Sequence, residues 1–115
     1  MALATGVSGI FYSLAFASGE RLRVELYVDP NRVALRPMAW PALVAAGDRI
    51  EDRYGEALEF EELPRSRASR IASYYPGPAS IEREREWPRY RDWLVQRAGR
   101  FRDAVQAEVD RLVER

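Results

Sequence analysis

The run Arg-Leu-Arg-Val-Glu-Leu-Tyr-Val at positions 21–28 alternates without a break: Leu22, Val24, Leu26 and Val28 on one side, Arg23, Glu25 and Tyr27 on the other. A period of two is that of an extended strand with one buried and one wet face. Residues 9–17 alternate as well, with Ile10, Tyr12, Leu14 and Phe16 set against Phe11, Ser13, Ala15 and Ala17, and Gly19 supplies a turn between the two runs. Asp29-Pro30-Asn31 stops the second strand. Trp40, Leu43, Val44, Gly47, Ile50 and Tyr54 then fall at helical spacing, with Gly55 where a C-terminal cap belongs. Pro41 is tolerated only in a first turn, so the spacing predicts a helix over 40–54, with 31–39 irregular. Residues 57–63 return to alternation, with Leu58 and Phe60 inward and Glu59 and Glu61 outward. A fourth strand over 68–75 ends at Pro76-Gly77-Pro78. From 84 to 112 the residues Trp87, Tyr90, Leu94, Phe101, Val105, Val109 and Leu112 form one helical stripe, and Pro88 suits its first turn.

The order strand, strand, helix, strand, strand, helix predicts a two-layer α+β domain over residues 1–115. Its mainly antiparallel sheet has four strands, with both helices on one face. Leu26, Trp40, Phe60, Ile71, Leu94 and Phe101 are its expected core. Composition agrees with a globular domain: 47% of the residues are hydrophobic and 31% charged, with zero net charge. The neutral balance argues against a dedicated polyanion binder while leaving room for a local basic patch. All 18 basic residues are arginine, a usage that fits a GC-rich genome. The chain has no histidine and no cysteine. Disulfides, thiolate nucleophiles, Cys/His zinc sites and histidine acid–base catalysis are therefore excluded, and no cofactor is expected. The N-terminal stretch lacks the basic start of a secretory signal, and no run approaches the roughly 20 apolar residues of a membrane span. A cytoplasmic protein is the expectation.

Set in order, Arg-Leu-Arg-Val-Glu-Leu-Tyr-Val-Asp, Tyr-Gly-Glu-Ala-Leu-Glu-Phe-Glu-Glu-Leu, Arg-Ala-Ser-Arg-Ile-Ala-Ser-Tyr-Tyr-Pro-Gly and Arg-Phe-Arg-Asp resemble a bacterial domain family of unknown function numbered 4268. The likeness runs from about Gly6 to Leu112 and is most specific at residues 66–77. It departs at Pro37 and Pro41, where family members carry an uninterrupted helix. The resemblance implies a module often found C-terminal to a restriction-endonuclease-like nuclease domain, in DNA-processing or defence proteins. It carries over no catalytic residue.

A restriction-type nuclease site needs clustered carboxylates for a divalent cation and a lysine to orient water. Glu25, Asp29, Glu59 and Glu61 can share a sheet face, but no lysine accompanies them. On the fourth strand Arg70 and Tyr74 share a side opposite Ile71, which places them on the wet face with Arg23 and Tyr27, while Arg65 and Arg67 lie in the loop that leads in. Guanidinium groups beside tyrosine rings suit phosphate and base contacts. The structural alternative is a cross-strand ion pair of Arg70 with Glu59 or Glu61. Residues 65–102 carry a net charge of +6, against −4 before and −2 after them. The leading functional expectation is a non-catalytic accessory domain with a nuclease or other protein partner, or nucleic acid, as its contact. The alternatives are a divergent metal-dependent nuclease and a small homo-oligomerising module. The nucleic-acid or partner-binding candidates are Arg65, Arg67, Arg70, Tyr74, Arg23 and Tyr27.

Overall fold

A computed structural model describes residues 2–32 and 37–113. The fold is α+β, with a five-stranded antiparallel sheet in the order β1-β2-β3-β5-β4. Its strands are β1 (Ala2–Ala4), β2 (Ile10–Ala17), β3 (Arg21–Val28), β4 (Glu59–Glu62) and β5 (Ser69–Tyr74). Three helices, α1 (Ala39–Ala45), α2 (Gly47–Tyr54) and α3 (Trp87–Arg111), join them, and a single 3-10 turn (Glu84–Glu86) precedes α3.

The alternation read from the sequence is the alternation of the sheet. Tyr12, Leu26, Ile71 and Phe60 form one cross-strand row, and Tyr12, Leu26 and Ile71 are buried in it. β2 and β3 pair over eight positions, from Ile10 with Val28 to Ala17 with Arg21. The turn between them takes its left-handed backbone at Gly19 and Glu20, with φ of 79° and 57°. Burial of the Leu and Ile side chains on this face contributes about 1.5–3 kcal/mol each.

The helices lie over that row. Phe101 of α3 is edge-on to Tyr12 of the sheet at 6.2 Å and to Tyr54 of α2 at 5.9 Å, so one ring joins both helices to the strands. The Tyr54 hydroxyl shares a 2.6 Å hydrogen bond with Ser73 Oγ, so its only polar atom is satisfied in the core. The Tyr12 hydroxyl donates to Gln106 Oε1 at 2.7 Å, and the Gln106 amide donates to the Thr5 carbonyl at 2.8 Å, which fastens the β1–β2 loop to α3. α2 ends at Gly55, whose φ of 91° is the left-handed cap, and the Arg100 guanidinium donates to the Tyr54 carbonyl there. A methyl group on Gly55 would stand 2.8 Å from the movable end of Arg100, and it is the left-handed φ that strains any side chain at this cap.

Four expectations are corrected. The sheet has a fifth strand, β1, a three-residue segment too short to show a period and held by pairing with Phe11–Ser13. The helix expected over 40–54 is two helices broken at Ala46; Pro41 does sit in the first turn, as α1 begins at Ala39. The last helix begins at Trp87, after the 3-10 turn. Leu26, Ile71 and Phe101 are fully buried, whereas Trp40, Phe60 and Leu94 are half-buried and pack against the core from its margin. Phe60 belongs to an edge strand, and Trp40 meets its ring at 6.3 Å. The irregular segment expected over 31–39 falls partly on residues 33–36, outside the described residues.

Candidate interaction face

The other side of the sheet carries no helix among the described residues, and the strand register lays its side chains out in three rows. Phe11, Tyr27, Arg70 and Glu61 form the first, Ser13, Glu25, Ala72 and Glu59 the second, and Ala15, Arg23 and Tyr74 the third. Arg23, Tyr27, Arg70 and Tyr74, taken from the sequence as candidates, thus meet on one surface. Arg65 and Arg67 do not join them.

Two carboxylates organise this face. Glu61 Oε1 accepts from Arg70 Nε at 2.9 Å and from the Tyr74 hydroxyl at 2.7 Å. Burial pushes the Glu61 carboxyl up, but the hydrogen bonds from Arg70 and Tyr74 outweigh it and hold the group below the usual carboxylate range. The same bond works the other way on Tyr74, whose phenol is pushed up by burial and by its contact with Glu61. Of the two glutamates that strand period offers Arg70, the structure selects Glu61. The second carboxylate, Glu25, is buried; its Oε1 accepts from Arg23 Nε at 3.0 Å and from Ser13 Oγ at 3.3 Å, while Oε2 has no partner among the described residues.

These pairings make the arginines lie flat. The side chains of Arg23 and Arg70 are only 14% and 17% exposed, low for guanidinium groups on a sheet face that no helix covers among the described residues. Arg21, which the sequence reading passed over, places its guanidinium 3.5 Å from the centroid of the Tyr74 ring. It shares the parity of Arg23, which was the available signal. Phe11 packs against Tyr27 with ring centroids 5.2 Å apart. The surface is a preformed sheet of tyrosine and arginine planes around the small residues Ser13, Ala15 and Ala72, and its charges balance: Arg21, Arg23 and Arg70 against Glu25, Glu59 and Glu61.

The tight β4–β5 loop is different in kind. Leu63 and Ala68 close it through the Leu63 N–H and the Ala68 carbonyl at 2.8 Å, and Arg67 takes a left-handed φ of 59°. The exposed guanidinium groups of Arg65 and Arg67 make no hydrogen bond or ion pair among the described residues. Among the described residues no group of three or more acidic side chains is placed to hold a metal ion, so Glu25, Asp29, Glu59 and Glu61 do not converge on one point. Among the described residues no helix is long and apolar enough to cross a membrane.

No curated protein and no solved structure matches the chain. A family model does: the one described as a domain of unknown function, DUF4268, matches residues 1–108. The chain belongs to that family.

Proposed function

We propose that this DUF4268 domain is a non-catalytic, cytoplasmic interaction module that docks a protein partner on the open face of its sheet, in a nuclease-associated DNA-processing or defence system. The observation that carries this reading is the state of the arginines: Arg23 and Arg70 are already neutralised by Glu25 and Glu61 and held flat. A polyanion would have to compete with those carboxylates. A protein surface gains from the same arrangement, because tyrosine and arginine are the residues richest in interface binding energy, and side chains ordered beforehand lose little entropy on docking. The nuclease-type partner rests on the family resemblance.

A second reading, contact with nucleic acid, is supported by the free guanidinium groups of Arg65 and Arg67 alone. One experiment separates the readings. Titrate fluorescent single- and double-stranded DNA with the domain across a salt series, and titrate a nuclease-type protein encoded beside it by calorimetry. The expected result is weak DNA binding that the triple change of Arg65, Arg67 and Arg70 to alanine abolishes. Protein binding should weaken about tenfold or more in Arg70→Ala, as for an anchor residue, and stay unchanged when Arg65 and Arg67 alone are altered. Tight DNA binding whose salt slope falls by about three phosphate contacts in the triple mutant would replace the protein reading. Incubation with Mg²⁺ or Mn²⁺ should release no cleaved DNA; turnover lost in Glu25→Gln would make the domain a nuclease instead.

A further inference from the structure

On the opposite side of the sheet, where α3 passes the β1–β2 edge, the packing is incomplete. A half-open cavity of about 90 Å³ lies there, lined by Leu3, Tyr12, Ser13, Leu14, Val24, Ala98, Phe101 and Arg102, with the Ser13 hydroxyl already donating to Glu25. A single enclosed water needs roughly 10–15 Å³ on the same measure, so the space takes a body of several non-hydrogen atoms. Its wall has little to offer water. The Tyr12 hydroxyl is committed to Gln106, and the strands' backbone groups serve the β1–β2–β3 ladders. Leu3, at the mouth, is 49% exposed, a large apolar side chain left half in solvent.

With Asp103 and Asp110 also close enough to Tyr12 to act on it electrostatically, the charged side chain that lines this cavity is Arg102. It stands one helical turn beyond Ala98 and makes no hydrogen bond or ion pair among the described residues. That sets it apart from Arg49, Arg53, Arg70, Arg97 and Arg100, each of which has a named carboxylate or carbonyl. Ala98 is half-buried in the cavity wall, where Leu14 and Phe101 are also lining residues, so position 98 is a place to introduce a longer side chain that fills it. A largely apolar pocket whose rim carries a planar guanidinium with no hydrogen-bond or ion-pair partner among the described residues is complementary to an apolar body that ends in a carboxylate, which the fork of Arg102 meets with two parallel hydrogen bonds.

We propose that the α3–β2 cavity is a binding site for a small apolar carboxylate, its hydrocarbon part between Leu3, Leu14, Ala98 and Phe101 and its carboxylate on Arg102. The site is independent of the open face. Two sources supply this chemistry: a free short-chain or aryl acid, and the C-terminal apolar residue of a peptide.

The test uses the full chain. Hexanoate and benzoate are titrated by ligand-observed NMR and calorimetry beside hexylamine and hexanol, and the tripeptide Gly-Gly-Leu beside its C-terminal amide. The acids are expected to bind, and the amine and the alcohol to bind at least about tenfold more weakly, the loss of one charge-assisted hydrogen-bond pair. Arg102→Gln should cost the acids a similar factor. Ala98→Leu should fill the cavity and abolish binding while leaving the urea midpoint at or above that of the wild type, and Ala98→Val provides a smaller filling if leucine overpacks. Preference for the free acids assigns the site to a small molecule; preference for Gly-Gly-Leu over its amide assigns it to a chain terminus. Absence of binding by every acid, or binding indifferent to either Arg102→Gln or the filled cavity, overturns the proposal.

Discussion

Phe101→Ala is expected to bring the domain close to unfolding. The ring is fully buried and stands edge-on to both Tyr12 and Tyr54, so its loss empties a point where the sheet, α2 and α3 meet. Truncating a buried phenylalanine costs about 3–5 kcal/mol, and the aromatic pairs it forms add to its area burial. A domain of this size has about 5–15 kcal/mol in total. The site also relaxes poorly, because Phe101 already borders the cavity beside Leu14 and Ala98 and its removal enlarges that space rather than creating a small one. Urea unfolding followed by tryptophan fluorescence should show a midpoint lowered by roughly 2–3 M, or no folded baseline at all. Val95→Ala, at a position 74% exposed on the same helix, is the control and should leave the midpoint where it is. A Phe101→Ala midpoint near that of the wild type would mean that α3 is not held through this ring.

The second large effect belongs to Glu108. Its carboxylate is buried on α3 and accepts from Arg49 at 3.0 Å, and Arg53, which also donates to the Ala104 carbonyl, pairs with its other oxygen. Hydrogen bonds from Arg49, opposed by burial and reinforced by Arg53, push its pKa from the usual 4.5 down to about 2. Glu108→Ala leaves the Arg49 and Arg53 guanidinium groups side by side on α2 without their counter-charge. Breaking a buried pair in this way costs about 3–5 kcal/mol, and the partial exposure of the arginines brings the expectation to about 2–4 kcal/mol. The depressed pKa sets the pH dependence. The unfolded chain takes up the proton first, so the contribution of Glu108 is complete above about pH 4.5 and is lost as the pH falls from there through about 2. Urea midpoints measured from pH 6 to pH 2 should therefore converge for the wild type and Glu108→Gln at the acid end. A constant gap between them would place the effect in packing rather than in charge.

The two networks were unequally legible in the sequence. The open face followed from parity alone: once Ile71 is assigned to the core, Arg70 and Tyr74 must face out beside Arg23 and Tyr27, and the choice between Glu59 and Glu61 was left to the register. Glu108 gave no such sign. A glutamate in a charged helix reads as solvated, and only the position three residues after Val105 and one before Val109 places it on the apolar stripe. What buries it is a pair of arginines four residues apart on α2, a relation between helices that no local period records. The core list held at Leu26, Ile71 and Phe101 and missed at Trp40, Phe60 and Leu94 for a related reason. Trp40, Phe60 and Leu94 have the size and spacing of core residues, but burial depends on what lies beyond them, and Phe60 and Trp40 sit at the outer β4 edge. β1 escaped because three residues cannot display a period; its strand character comes from the partner it meets.

The sheet order joins two locally built units, the β1–β2–β3 meander and the β4–β5 hairpin, through the single β3–β5 seam. Each unit closes short loops, but the seam brings Val28 to Ser69 across about forty intervening residues. Hairpins form in microseconds, whereas a contact of that sequence separation waits for loop closure, so the folding rate of the domain is governed by the meeting of Leu26 with Ile71. The same residues lie at the centre of the finished core. The slowest contact to form is therefore also among the last to open, and hydrogen exchange at β3 and β5 reports global unfolding while β1 and β4, each paired on one side only, exchange through local fraying.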